Sequence, residues 1–317
     1  MKNRICFLWL LLCISLTLPA QLLWKISGNG LSRPSYVVGT YHLAPASFVD
    51  SIAGSRAVLE EVQQVYGELD LRSMTGADAV SKMQAALMLP EGTTFESLFT
   101  PDELSRLNAF MLDLMGADMT HPMVAQQMKN LKPAALTTQF VVLMCLKKRP
   151  GFDMNNLFDA AFQKEALAQN KTVGGLEDID RQIQVLYSQK TLKRQAQELM
   201  CLVDNREYNE TVSETLLEAF FSQDMKRIQE AMEMKLGNAC DATAEEEEAL
   251  VYGRNADWAG KMPEIMRDAP TLFVVGAAHL PGDRGVLALL RKAGYTVNPL
   301  AQSINVTYGE NTEKEWD

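Results

Sequence analysis

Histidine is scarce in this chain: three residues in 317. Cysteine is nearly as rare, with five, and two of these lie in the first thirteen residues. The other three, Cys145, Cys201 and Cys240, form no Cys-x-x-Cys pair. That spacing excludes a thiol redox motif, a thiolate zinc site and the disulfide-dense scaffolds. Basic residues are outnumbered, 30 against 40 acidic, for a formal charge of −10. No basic face is in evidence, so phosphate neutralisation, and with it nucleic-acid binding, is excluded. Beyond the first twenty residues no apolar run is long enough to span a membrane. Heptads and a Gly-x-y period are absent, and apolar residues, 47% of the total, occur throughout. Coiled coil, collagen and intrinsic disorder are therefore set aside.

The start of the chain has its own composition. Lys2 and Arg4 precede an uncharged Leu-rich run over residues 5–18, then Pro19 and Ala20. This is the pattern of a secretory signal peptide over residues 1–20, and it predicts an extracytoplasmic protein, periplasmic or secreted. A retained N-terminal anchor is the competing reading, and Leu18 at the third position before the cut fits a cleavage site imperfectly. Export permits a disulfide. Cys201 and Cys240, both in one helical stretch, are the expected pair, while Cys145 sits in an apolar run and reads as a small hydrophobe.

Periodicity and turn residues predict an α/β fold, with a central mixed sheet built from N- and C-terminal portions and a large helical insertion. Residues 22–27 and 35–39 read as strands joined by Gly28-Asn29-Gly30, and 65–71 as a strand ending in Glu68-Leu69-Asp70. Thr100-Pro101-Asp102-Glu103 is a helix start with a capping box, and Thr243 with Glu246 repeats it. The acidic run 245–248 is thus helix-start chemistry rather than a metal site. Residues 133–146 and 155–169 read as helices, 171–177 as a strand, and 178–268 as helical. Strands are expected again at 272–276 and 295–299, flanking a helix at 285–293. No Pro- or Ser-rich linker divides the chain. One domain is expected over residues 21–308, with the helical insertion at about 72–268 and a polar tail at 309–317. Met111, Met115, Met119 and Met123 recur every four residues and suggest one helical stripe, read as core packing before a lid over a cleft.

One internal echo carries chemistry. Val37-Val38-Gly39-Thr40-Tyr41-His42-Leu43 is matched by Val274-Val275-Gly276-Ala277-Ala278-His279-Leu280, identical at five of seven positions. Two of the three histidines therefore follow an apolar strand in the pattern Gly-x-x-His. Ligands of α/β sheets bind beyond the carboxyl ends of the strands, where a glycine permits close backbone approach. If the two strands are neighbours, His42 and His279 face one cleft, and imidazole suits metal ligation or proton transfer there. A lone copy would more simply hydrogen-bond a turn; two at corresponding strand ends point to a site. His121, before Pro122, reads as a helix-flanking surface residue.

Carboxylates lie at equivalent places. Glu68 and Glu177 end otherwise apolar strands, whereas Asp70 reads better as a helix N-cap. Arg254 lies one turn before Trp258; it would orient a carboxylate or stabilise an oxyanion, or else form a surface salt bridge.

These motifs, with Gly175-Leu176-Glu177, Arg254-Asn255-x-x-Trp258, the run 275–282 and the closing 289–297, resemble the TraB/GumN family, which includes the TIKI-like metalloproteases. The ordered set covers nearly the whole chain after the leader. The resemblance implies a fold of the erythromycin-esterase and ChaN-like kind and a metal-dependent peptidase. It implies His42, His279, Glu68 and Glu177 as metal ligands, with Glu68, Glu177 and Arg254 in catalytic roles and Asp153 as a further acidic position. The expected function is an exported metal-dependent hydrolase acting on a peptide or other small polar substrate, with manganese, cobalt, zinc or iron activating water and no organic cofactor. Two alternatives stand beside it: a metal-free, esterase-like hydrolase with a histidine base, and a non-catalytic exported protein that binds a peptide or glycan.

Overall fold

The computed structural model describes residues 21–149 and 152–300; the expected leader (1–20) and polar tail (309–317) lie outside them. The six strands are β1 (Leu23–Ser27), β2 (Ser35–Thr40), β3 (Gln64–Gly67), β4 (Thr172–Gly175), β5 (Thr271–Gly276) and β6 (Thr296–Pro299). They form one mixed sheet in the order β4-β3-β5-β2-β1-β6. The four strands from β4 to β2 are mutually parallel, while β1 runs antiparallel to β2 and β6. The chain is therefore α/β, as its periodicity and turn residues predict, and its sheet draws on both ends of the sequence.

The two central strands are apolar on both faces because both faces are covered. Val38, Leu272 and Val274 pack with Phe48, Phe158, Phe162 and Phe220 on one side. Val37, Phe273 and Val275 pack with Trp258, Met262 and Leu290 on the other. Strand alternation sorts consecutive residues of one short run into two cores. A third core lies within the helical insertion, around Leu107, Phe110, Met111, Leu136, Phe140 and Leu199. A disulfide between Cys201 and Cys240 ties helix Leu192–Asp204 of that insertion to the loop before helix Ala244–Glu247. Cys145 is free and half-buried. No helix among the described residues is long and apolar enough to cross a membrane.

Several expectations change in detail. The strand expected at 171–177, inside the otherwise helical span 72–268, forms as β4 and pairs with β3, though it stops at Gly175. The strand expected at 65–71 stops at Gly67, since Asp70 caps helix Leu71–Met74 by accepting from the Arg72 N–H. Glu68 and Asp70 thus do not share a strand face. The methionine stripe is broken. Helix Pro101–Met115 ends at Gly116, whose φ of 77° a side chain resists, so Met119 lies in a loop and Met123 is exposed on the next helix. Both expected capping boxes, at Thr100 with Glu103 and Thr243 with Glu246, form.

Candidate functional site

Strand order decides which side chains meet. β2 and β5 are adjacent, with Gly39 opposite Val275 and Thr40 opposite Gly276. The segments that carry His42 and His279 therefore leave the sheet side by side. β3 borders β5 on its other side and delivers Glu68; β4 borders β3 and is followed by Glu177. Four neighbouring parallel strands so place four ionisable side chains at one end of the sheet. His42, Glu68, Arg254 and His279 line a single cavity of about 370 Å³ there, and Glu177 reaches the same group from below through Arg254.

The two glycines of the echo allow close packing rather than unusual torsions. A side chain at Gly39 would lie 2.9 Å from Leu280 Cδ1 and 3.1 Å from the Ala277 backbone, so its absence lets the turn Ala277–His279 lie over β2. At Gly276 the bare backbone lets Glu68 approach, and the Gly276 N–H donates to Glu68 Oε1 at 2.8 Å.

Arg254, in the first turn of helix Gly253–Asp268, organises the floor. Its Nη2 donates to Glu68 Oε2 and to Glu177 Oε1, both at 2.6 Å, and its Nε donates to Glu177 Oε2 at 3.1 Å. Nη1 donates to the Leu250 carbonyl at 3.1 Å and meets His279 Nε2 at 3.2 Å. All five guanidinium N–H donors are thereby engaged, leaving none for a substrate oxygen. Both glutamates outweigh the one guanidinium, so this buried group carries a net negative charge.

A hydrogen-bond chain fixes the state of His279. Asn255 Nδ2 donates to the Arg284 carbonyl at 2.9 Å, which turns Asn255 Oδ1 toward His279 Nδ1 at 2.7 Å. Nδ1 must then carry the proton, and Nε2 accepts from Arg254. Burial pushes the ring's pKa down to about 4, with Arg254 and His42 adding to the effect and Glu68 opposing it. His279 is a neutral, fully bonded imidazole at pH 7. Burial by itself would raise the Glu68 carboxyl, yet it is held below the ordinary range by the charge of the facing His279, Arg254 and His42 side chains and by the Gly276 N–H. With His279 neutral, Arg254 bears most of that work.

His42 is the contrasting case. Its ring is exposed at the cavity, and Nδ1 is paired with Asp159 Oδ2, which leaves Nε2 directed away from its partner. The hydrogen bond to Asp159 pushes the His42 pKa up to about 9, against desolvation and with support from the charges of Asp159 and Glu68. Asp159 lies in the first turn of helix Phe158–Ala168. One turn later Gln163 holds the loop after β3: it donates to the Leu69 carbonyl at 2.8 Å and accepts from the Leu71 N–H at 3.1 Å. Sequence reasoning missed both residues. The available signal was an acid and an amide four residues apart on a helix that otherwise buries Phe158, Phe162 and Ala166.

Asp153 is not part of this assembly. It is exposed and accepts from the Asn155 N–H within its own turn. His121 precedes helix Pro122–Met128 on the surface, and Asp70 is the N-cap already described. As to a metal, no group of three or more His, Cys, Asp or Glu side chains among the described residues is placed to hold one. Each oxygen of Glu68 and Glu177 already accepts a hydrogen bond, and a guanidinium stands against His279 Nε2 where a second cation would be repelled. As arranged, these four donors do not fit a resident ion.

Over 314 residues the chain is 24% identical to the metalloprotease TIKI2 of Danio rerio, covering 87% of this chain and 60% of that protein. It is 24% identical over 317 residues to TIKI2 of Xenopus tropicalis, covering 87% and 59%. The metalloprotease TIKI1 of Danio rerio is 22% identical over 315 residues, covering 87% and 62%. The chain thus spans about three fifths of the length of these curated relatives. No solved structure matches. The profile of the TraB/PrgY/gumN family matches residues 22–299, a span that begins before β1 and closes on the last residue of β6. With the match running through the whole sheet and every residue of the floor, the chain belongs to the TraB/PrgY/gumN family.

Proposed function

We propose that this chain is an exported, peptidase-like hydrolase in which His42 is the general base. Asp159 holds the ring, and in its neutral form, populated as pH rises toward about 9, Nε2 takes a proton from water as the water oxygen attacks a substrate carbonyl. The imidazolium so formed is stabilised by Asp159 and by Glu68, whose charge Arg254 only partly cancels. The same proton then passes to the leaving group as the carbonyl reforms. His279, Arg254 and Glu177 shape and charge the floor. The observation that carries this reading is one imidazole, held by a carboxylate and free at its other nitrogen, in a cavity floored by buried charge.

The name of the relatives favours a second reading, the same hydrolysis run through a divalent ion. The donors as arranged do not fit it, and no step is routed through a metal here. The purified chain is assayed on peptide and ester libraries after chelation and again with manganese, cobalt or zinc. Turnover that survives chelation and falls by about 10²–10⁴-fold in His42→Ala supports the base. Turnover that vanishes on chelation and returns with one ion supports the second reading. Equal activity in the parent and His42→Ala removes both.

A further inference from the structure

The same cavity has two unlike halves. Its polar groups lie on the sheet side, at the strand ends. The opposite side is built from helices and is mainly apolar, with Val185, Leu186, Leu216, Met232, Leu250 and Val251 beside one polar side chain, Gln182. Leu186 and Leu250 each leave 43% of their surface exposed. A single exposed leucine is unremarkable in a globular protein; two lining one cavity above a charged floor are not.

The backbone beneath them is also unusual. Leu186 lies in a π-helical turn, Gln184–Ser188, closed by the Gln189 N–H donating to the Gln184 carbonyl at 2.8 Å. Leu250 and Val251 lie in a second such turn, Glu248–Tyr252, closed by the Gly253 N–H donating to the Glu248 carbonyl. π turns are rare and are frequently found at functional sites. These two pack against one another. The second is anchored to the floor, because the Leu250 carbonyl accepts from Arg254 Nη1. Arg254 thus ties the second of these turns to the charged floor, and the first packs on the second.

We infer that the roof formed by the two π turns binds an apolar group of the substrate, so that the carbonyl attacked at the floor is flanked by a large aliphatic side chain. The attack rests on the hydrolase reading; the binding does not. At about 370 Å³ the cavity lies at the lower end of the range for small-ligand sites, about 300–1,000 Å³. It admits one such group above the floor rather than a long segment of chain. A charged side chain there would lose its hydration against Leu186, Leu250 and Val251, with only the neutral amide of Gln182 on that side to offset the loss. Leu186 and Leu250 are thus specificity-determining residues.

Two blocked peptides test this, acetyl-Gly-Leu-Leu-Gly-amide and acetyl-Gly-Asp-Asp-Gly-amide. Binding is measured by calorimetry to the full chain carrying His42→Ala, which separates binding from turnover. The leucine peptide is expected to bind at least about 10-fold more tightly, with a negative heat-capacity change from apolar burial. In the further double variant Leu186→Gln and Leu250→Gln that preference is expected to fall by about 10-fold. Both residues are partly exposed, and the preference in the single His42→Ala protein is a test that does not depend on the double variant folding. Equal binding of the two peptides, or an unchanged preference after both leucines are replaced, overturns the inference. Preferential binding of the leucine peptide with no hydrolysis by the parent leaves it standing and removes the hydrolase reading; hydrolysis of both peptides at equal kcat/KM does the reverse.

Discussion

Replacing Arg254 by methionine probes the floor most directly. Its side chain is 7% exposed, and it neutralises Glu177 at 4% and Glu68 at 14%. Methionine approximates the length of the arginine stem but leaves two carboxylates facing each other without a counter-charge. Removing one partner of a buried pair costs about 3–5 kcal/mol. The guanidinium also stacks 4.7 Å from the Trp258 ring centre, a contact worth about 0.5–2 kcal/mol. A destabilisation of roughly 4 kcal/mol at pH 7 is expected. Its pH dependence carries the argument. In the parent, Glu68 titrates below its unfolded value, so its share of stability is present above that value and lost as pH falls. In Arg254→Met, burial without that compensation raises Glu68 above its unfolded value of about 4.3. Its share is then present at low pH and lost as pH rises through the raised folded value. His279, relieved of Arg254, moves in the same direction. The gap between parent and variant should therefore be wide at pH 7 and narrow by pH 5. Adding Glu68→Gln and Glu177→Gln to the variant should recover most of the loss at pH 7, because no charge is then buried. Urea unfolding followed by far-UV circular dichroism at both pH values measures each term. A gap of equal size at pH 5 and 7, or a triple variant as unstable as the single one, refutes the reasoning.

Three further expectations bear on other parts of the molecule. Asp159→Asn removes the partner that raises His42, so the rise of activity with pH should move from near 9 toward about 6.5 while the plateau drops by at least about 10²-fold; an unmoved limb speaks against Asp159 as the holder of the ring. Gly39→Ala forces a methyl to within 2.9 Å of Leu280 Cδ1, which should cost about 1–3 kcal/mol and displace the turn carrying His279; full turnover at an unchanged melting temperature contradicts that. Paired Cys201→Ser and Cys240→Ser substitutions open a loop spanning 39 positions and should lower stability by about 4 kcal/mol in the chain-entropy treatment, read as a shift in the urea midpoint that an intact fold without shift would disprove.

What was legible in the sequence was local. The capping boxes at Thr100 and Thr243 depend on side chains three residues apart, and both form. The repeated Gly-x-x-His element marked two strand ends because its strands are apolar on both faces, which only a covered parallel sheet requires. The less legible features are tertiary. Asp159 looks like any acid in a first helical turn; its role comes from a ring 117 positions earlier in the chain. Asp153, more conspicuous after Gly151-Phe152, has only its own turn as a partner. Full engagement of Arg254 depends on Glu68, Glu177, Leu250 and His279 together, so no spacing could disclose it. The π turns under Leu186 and Leu250 leave no mark in a pattern read at 3.6 residues per turn.

The position of β5 has a consequence for how the protein matures. It is the next-to-last strand to be made, yet it is inserted between β3 and β2, two of the first. Until residue 276 has emerged, the early strands have no shared neighbour, and neither Gly276 nor His279 exists to meet Glu68 and Arg254. A growing or truncated chain that stops short of it holds β1 to β4 and the residues of the insertion, but not the floor. The floor thus closes in one late, long-range step, set by connectivity alone.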